Sequence, residues 1–142
     1  MAQTKTYDPK QMKVSFGGVI LGGFADGTFL EVERDEDTFS RKVGAAGEAC
    51  WVRNNNRGGK VTFTVMQDSA TNSVLSSFLK ADELLGTGVQ TFYAAEANGS
   101  TAVHATEARI TKPPAVKRGK EHDNVEWVID CADIDVFVGG LS

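Results

Sequence analysis

The sequence has few of the residue types that catalysis and metal binding use. Its 142 residues include two cysteines and two histidines. Cys50 and Cys131 are far apart, and neither belongs to a CxxC pair or has a histidine at ligand spacing, which excludes a disulfide framework and a zinc site. Each cysteine lies in an apolar, strand-like stretch, and we interpret both as small buried hydrophobic side chains.

The remaining reactive side chains form no recognisable catalytic pattern. His104 and His122 have no serine, cysteine or second histidine at a spacing that suggests a triad or a metal site. The paired glycines at 17–23 precede no helix, so they are not a dinucleotide-binding fingerprint. The three aspartates at 130–135 lack the glycine-centred loop and bidentate glutamate of a calcium site. We therefore expect no enzyme, no cofactor and no metal site.

Long apolar runs are also missing. No stretch approaches the ~18 apolar residues of a membrane-spanning helix. The first residues, MAQTKTYDPKQMK, lack the apolar core of a secretory signal. Hydrophobic residues make up 41% of the chain and charged residues 24%, as in ordinary soluble globular proteins. We expect a single domain over residues 1–142, with a flexible arm at 1–10 and no membrane anchor, made in the cytoplasm.

The formal net charge of −4 conceals blocks of one sign. Residues 31–37 and 121–135 are strongly acidic, whereas residues 41–60 and 109–120 are strongly basic. Such blocks arise by chance on many surfaces. They would also let acidic and basic patches meet across a repeated contact between copies of the chain, where charge sets register and encounter rate more than affinity.

Strand patterns dominate what is present. The clearest lies at 60–65, where valine and phenylalanine alternate with lysine and threonine. Similar segments, separated by glycine-rich turns, lie at 12–21, 28–34, 91–95, 102–112 and 125–131. One helix is expected at about 70–85. These elements predict a mainly β fold, an antiparallel sandwich or rolled barrel with one covering helix.

The expected helix has clear ends and one apolar face. Ser69 or Asp68 is placed to cap its first turn, and Gly86 suits a left-handed C-terminal cap. Its apolar stripe consists of Val74, Leu75, Phe78, Leu79 and Leu85. Because such a stripe is stable only when it packs on another element, we expect the helix to lie on the sheet.

Two regions do not suit a self-contained monomer. Residues 34–59 form a long charged loop with one short possible strand at 49–53, and loops of this length in compact domains usually have a function. The run at 134–138 is apolar on both faces, although it lies near the end of the chain. It either folds back on its own domain or pairs with another chain, because open apolar edges invite such pairing.

Four segments spread over the whole chain carry a resemblance: VSFGG, the GFADGTF turn, the ERDEDTFSRKVGAAGE loop and the closing WVIDCADIDVFVGG. This resemblance is to tail tube proteins of contractile-tailed bacteriophages, which are similar in fold to the type VI secretion tube protein. It implies a virion protein that forms hexameric rings, which stack into a tube inside a contractile sheath and conduct DNA. The implied partners are further copies of the chain, the sheath, the tape measure, and baseplate or terminator proteins. DNA would pass without sequence-specific binding.

The resemblance assigns roles to three sets of residues. The long loop would reach a neighbouring subunit or ring through Asp35, Glu36, Asp37, Arg41, Lys42, Arg53 and Arg57. The polar faces of strands would line an acidic lumen that repels DNA, through Glu31, Glu33, Glu126 and Asp130. The C-terminal run would join a neighbouring subunit through Ile134, Val136, Phe137 and Val138. The alternatives are a stand-alone β-barrel that binds another protein and the tube protein of a bacteriocin or other injection device. A small hydrolase or metal enzyme is a distant third.

Overall fold

Nine strands and one helix make up the part of the chain that the computed structural model describes, residues 12–25, 27, 29–97, 99–120 and 123–140. The expected arm at 1–10 and His122 lie outside these residues. In chain order the elements are β1 (Met12–Phe16), β2 (Val19–Leu21), β3 (Leu30–Arg34), β4 (Phe39–Val43), β5 (Ala49–Arg53), β6 (Gly59–Met66), α1 (Ala70–Leu85), β7 (Gln90–Glu96), β8 (Ala102–Ile110) and β9 (Asn124–Phe137).

Seven of the strands form one antiparallel sheet with the order β2-β1-β7-β8-β9-β6-β3. The β8–β9 pair has irregular register around Glu107, and there the sheet changes partners. The start of β8 pairs with β7 and with the end of β9, whereas the start of β9 pairs with β6. Because bulges bend and twist a sheet, the two halves fold over each other around one core. This confirms the mainly β, antiparallel fold with one helix, and the sheet does not close into a barrel.

The core follows the predicted alternation. Val61, Phe63 and Val65 on β6 are completely buried, and Trp127 and Ile129 on β9 pack beside them. The C-terminal segment differs from expectation, because 125–131 and 134–137 belong to one strand of 14 residues and not to two. The bulges near Glu107 allow this strand to pair in both halves of the sheet.

The helix α1 closes one end of the core with the predicted bounds and caps. The Ser69 hydroxyl accepts a hydrogen bond from the Thr71 amide, and Gly86 adopts the left-handed conformation with φ of 69°. Leu75 and Leu79 are buried, and Phe78 packs edge-on against Phe16 with ring centroids 5.1 Å apart. The prediction was wrong for Leu85, which is 75% exposed. It is the last residue of the helix, and its neighbour Leu84 is also exposed.

The chain after β2 crosses from one half of the sheet to the other. Gly22 exchanges two hydrogen bonds with the Thr71 hydroxyl, at 2.9 and 2.7 Å. Phe24 then bridges to Val65, and the Ala25 amide donates to the Thr64 carbonyl. This crossing ties β2 to β6 beside α1. The end of the core where β1 begins is the end that remains open.

Candidate functional site

The expected loop at 34–59 is a β-hairpin that projects from the sheet, here called the hairpin arm (residues 35–58). Among the strands that the structure describes, β4 and β5 pair only with each other, and all their residues are exposed. A tight turn joins them, in which the Gly44 amide donates to the Glu48 carbonyl and Gly47 has φ of +85°. The expectation of a loop with one short strand at 49–53 is therefore corrected, because 39–43 is its partner strand.

One face of the hairpin arm is aromatic and cationic. Residues opposite each other in an antiparallel pair share a face, and the register therefore places six side chains together, Phe39, Arg41, Val43, Ala49, Trp51 and Arg53. Trp51 is 66% exposed, and the Arg41 guanidinium lies 6.0 Å from the centre of its ring. We call this surface the Trp51 face. Tryptophan and arginine are the residue types that dominate binding energy at protein interfaces.

The opposite face of the arm carries Ser40, Lys42, Cys50 and Val52. The interpretation of Cys50 as a buried side chain was wrong, because the thiol is exposed. Its strand has no sheet beneath it. Cys131, by contrast, is buried as expected, and burial together with the Asp130 and Asp35 carboxylates raises the pKa of its thiol to about 11.

The base of the arm is attached to β9. Arg34 donates one guanidinium hydrogen bond to the Thr38 hydroxyl and another to the Ile134 carbonyl, both at 3.0 Å. The Ile134 amide donates to the Arg57 carbonyl, and the Arg57 side chain lies 3.3 Å from the carboxylate of Asp133. These contacts cross from both ends of the arm to one strand, so they fix the direction in which the arm leaves the sheet.

The charged residues expected at a subunit contact are distributed over three parts of the arm. Asp35, Glu36 and Asp37 lie at its start, where the Asn54 amide donates to Glu36 at 2.6 Å and lowers the pKa of that carboxyl. Arg41 and Arg53 lie on the Trp51 face and Lys42 on the opposite one. Arg57 lies at the base, where its ion pairs with Asp133 and Asp135 are within the subunit.

Within the described part of the chain, two sheet edges on one half of the molecule are open. There strand β3 pairs with β6 on one side only, and its outward-facing side chains include Glu31 and Glu33. Pairing of β8 with β7 ends at Ala108, and among the described residues the backbone beyond it bonds only toward β9. Arg109 lies on this free edge, and the exposed segment after it contains Lys112. The β3 edge is thus acidic, and the end of β8 is basic through Lys112 and through Arg109, whose charge is shared with Asp82 of α1.

The four lumen candidates share the polar face of this half of the sheet, but that face is not uniformly acidic. The register places Glu33, Lys60, Asp130 and Arg109 in one row across four strands, with alternating charge. Arg109 also makes an ion pair of 2.9 Å with Asp82 of α1. The two remaining candidates, Glu31 and Glu126, lie opposite threonines of β6. The structure therefore brings the four together and adds two cations between them.

The four C-terminal residues predicted to join a neighbouring subunit are divided between the core and the surface. Ile134 is completely buried in its own subunit, and Val136 is partly buried against the same core. Phe137 and Val138 are 62% and 79% exposed. The next residues are held beside Ser100, whose amide donates to the Gly140 carbonyl. The apolar surface that this segment offers to another chain therefore comes mainly from its last two members, with a smaller part from Val136.

Sequence reasoning missed an apolar groove at the open end of the core. It is a cavity of about 440 Å³ between β3 and the end of β9, lined mainly by Met12, Phe29, Leu30, Val32, Val136 and Val138, with Glu96 at its rim. We call it the apolar groove. No sequence signal marks it, because each of these residues fits an ordinary core strand. The groove exists because β9 leaves β6 at Cys131, so the two halves of the sheet separate there.

The described residues contain no group of three or more metal-ligating side chains, so the aspartates at 130–135 form no such cluster. His104 is exposed and stacks edge-on with Tyr93 at 6.2 Å. Among the described helices, none is long and apolar enough to cross a membrane. The described residues instead present surfaces that suit contact with another molecule: an exposed arm, two open edges of opposite charge and an apolar groove.

The fold is that of tube and terminator subunits of contractile injection systems. It is similar to the anti-feeding prophage tube-terminating cap, with a TM-score of 0.66 and 10% identity over 96% of this chain and 94% of that one. It is also similar to a chain of the sheath-tube complex of the PVC extracellular contractile injection system in its extended state. The TM-score there is 0.62, with 9% identity over 93% and 91% of the two chains.

Sequence comparison identifies the family. The family model described as Bacteriophage PhiTE tail tube protein matches residues 14–139. The chain belongs to this tail tube family and is a structural protein of the virion. Structural protein ORF10 of Pseudomonas phage KPP10 is 27% identical over 146 residues, which cover 97% of this chain and 84% of that protein. The resemblance seen in the sequence is confirmed, and membership of a structural family points to a role other than catalysis.

Proposed function

We propose that this protein forms hexameric rings that stack into the tail tube, the conduit for genomic DNA inside a contractile sheath. The observation that carries the proposal is the pair of open edges of opposite charge on one half of the sheet. A heterologous contact needs two different, complementary surfaces on one chain, and repetition of such a contact closes a ring when the rotation permits. An acidic β3 edge that pairs with the basic end of β8 in the next copy would extend the sheet around a ring.

The polar face of these strands would then face the lumen. It carries five acidic side chains, Glu31, Glu33, Glu107, Glu126 and Asp130, against the cations Lys60 and Arg109. A net negative wall repels the phosphate backbone, so DNA would slide without adhering. The hairpin arm, fixed at its base and exposed along its length, would reach a neighbouring subunit or ring.

Further partners follow from the relatives. The solved structures that share the fold include a sheath-tube complex and two tube-terminating assemblies. We infer that this protein contacts a sheath protein on the outside of the tube, a terminator at its end, and a baseplate and tape measure during assembly. A stand-alone protein-binding module of the same fold would instead remain monomeric.

Negative-stain electron microscopy with light scattering tests the proposal. We expect wild-type protein at high concentration, or with baseplate components, to form six-membered rings or hollow tubes. The variant E31K reverses charge on the open β3 edge at a position opposite Thr62, and we expect it to raise the concentration needed for assembly about threefold or more. E83K on the exposed face of α1 is the matched control. A wild-type chain that stays monomeric under both conditions, or an E31K chain that assembles like E83K, contradicts the proposal.

A further inference from the structure

We infer that the Trp51 face of the hairpin arm in one copy docks into the apolar groove of a second copy. The inference rests on the proposed self-assembly and specifies which two surfaces meet. It starts from two features that are each incomplete in the isolated subunit: a projecting aromatic face whose side chains are exposed, and an opening in the core with apolar walls.

The Trp51 face has the composition of an interface anchor. Trp51, Phe39 and Val43 are 66%, 54% and 60% exposed on one side of a two-stranded ribbon. A two-stranded ribbon is marginally stable in water unless one face packs on something. Arg41 and Arg53 flank the aromatics on the same face. Buried aromatic side chains flanked by arginine are the usual centre of a strong protein contact.

The apolar groove has the complementary properties. Its volume of about 440 Å³ is large enough for aromatic side chains, and its walls are mainly aliphatic or aromatic. Val138, at its rim, is 79% exposed. Burying the Trp51 face here would cover apolar surface on both partners.

Charge favours a second copy of this chain as the occupant. Strands β4 and β5 contain three cations, Arg41, Lys42 and Arg53, and no acidic residue. Glu96 is a carboxylate among the groove's lining residues, and Arg41 and Arg53 flank the aromatic side chains on the Trp51 face. The segment 1–11, which precedes Met12 of the groove wall, is the competing occupant. It contains few apolar side chains, mainly Met1 and Tyr7.

Disulfide trapping between copies tests the docking. Ala49 lies on the Trp51 face, and the native Cys50 lies on the opposite face one residue away, which provides a matched control. One population carries A49C with C50S, the other carries V138C with C50S, and tags of different size distinguish the chains. Buried Cys131 stays neutral and protected in both. The mixture is assembled, checked by electron microscopy and oxidised.

We expect assembled tubes to contain disulfide-linked pairs of the two chains. Replacing A49C by the native Cys50 should reduce the linked fraction at least about tenfold, because a disulfide requires Cα atoms within ~7 Å and suitable directions. Placing the partner cysteine at Leu84, exposed at the far end of α1, should abolish the link.

In a separate measurement, W51A should raise the concentration needed for assembly about tenfold or more, whereas V52A on the opposite face should change it less than twofold.

The outcomes separate this inference from the proposed function. Tubes that assemble but give no link between A49C and V138C overturn the docking and leave the tube function intact. Equal linking from Cys50, or a link from V138C to T6C in the segment 1–11 in place of A49C, also overturns it. A wild-type chain that never assembles overturns the proposed function, and the docking with it.

Discussion

At the scale of single residues, Gly59 shows how closely the strands on either side of β6 approach it. It is buried at the start of β6, between Arg34 of β3 and Cys131 of β9. A Cβ atom there would lie 2.6 Å from the Glu33 carbonyl oxygen and 2.9 Å from Ile134 Cγ2. The first of these neighbours is backbone, so it cannot move aside without disturbing β3.

We therefore predict that G59A lowers the free energy of unfolding of the monomer by about 2–3 kcal/mol, the usual cost of overpacking a core. G119A is the control, since a Cβ at Gly119 meets no atom within 4 Å. It should change stability by less than ~0.5 kcal/mol. Urea denaturation followed by tryptophan fluorescence measures both, and equal stabilities for the two variants would contradict the prediction.

The two thiols should differ in their reactivity toward thiol reagents, because Cys50 is exposed and Cys131 is buried. Burial raises the pKa of Cys131 to about 11, from an ordinary value of 9.0, so the folded state disfavours its thiolate. This contribution to stability is fully present below pH 9 and is lost as the pH rises toward 11, because the unfolded thiol ionises first. At pH 8 we expect a thiol reagent to modify Cys50 quickly and Cys131 only after unfolding. Rapid reaction in C50S would show that the prediction is wrong.

Alternation in the sequence predicted the burial of single residues where a strand lies on the core, and failed where it does not. Val61, Phe63 and Cys131 are buried as expected. Cys50 has the same apolar neighbours in sequence, yet it lies on an arm with no sheet beneath it. Local pattern reports which face a side chain is on, whereas burial depends on what covers that face.

At the scale of elements, the start of α1 joins helix capping to closure of the core. Ser69 caps the helix and also donates to the Gly22 carbonyl at 2.9 Å. Thr71 is the one buried polar residue among the described ones, and its hydroxyl serves both backbone groups of Gly22. Loss of that hydroxyl leaves both groups without this partner.

We predict that T71V lowers the free energy of unfolding by about 1–3 kcal/mol, because the Gly22 amide loses its hydrogen-bond partner while the Gly22 carbonyl keeps Ser69. S69A should cost about 1 kcal/mol through the lost cap. S76A, at an exposed position of the same helix, should be neutral or slightly stabilising because alanine favours helix. Thermal unfolding by circular dichroism measures all three. A T71V variant as stable as S76A would show that the Thr71 hydroxyl does not stabilise the closed end of the core.

Elements whose cause lies within a short stretch of sequence were predicted accurately, whereas elements that depend on distant residues were not. The bounds of α1 follow from caps and a stripe within 18 residues, and they were predicted to the residue. The hairpin arm was not, because arginine and lysine are weak strand formers and its partner strand has no core face to reveal a period. The apolar groove forms where β9 leaves β6. These two strands are about 70 residues apart in sequence, so no short stretch of sequence predicts the groove.

At the scale of the whole molecule, the charge blocks in the sequence are used in two ways. Some are satisfied within the subunit, as in the pairs Arg57–Asp133 and Arg109–Asp82. Others lie on open edges or on the arm, where only another molecule can approach them. This division explains how a chain with a net charge of only −4 presents strongly basic and strongly acidic surfaces.

The lumen assignment makes a prediction about the assembled tube. Of the four candidates, Asp130 and Glu33 have Lys60 as a cross-strand neighbour, so their reversal would also place like charges together within the subunit. Glu126 lies opposite Thr64 on the polar face and is the cleaner probe. We predict that E126K slows DNA ejection several-fold without changing tube length. Each hexameric ring would add six cations to the wall of the lumen, and these would hold the phosphate backbone. Slowing should diminish at high salt, since counterions screen the attraction.

The control for this experiment is E83K, which reverses the same charge at an exposed position of α1, where Glu83 makes a long, exposed contact of 4.0 Å with Lys80. If ejection depends on the wall of the lumen, E83K should eject DNA like wild type while E126K does not. If both variants slow ejection equally, net charge of the virion is the cause and the polar face does not line the lumen. If neither does at matched tube length, Glu126 lies elsewhere, and the ring must be built with another face of the sheet turned inward.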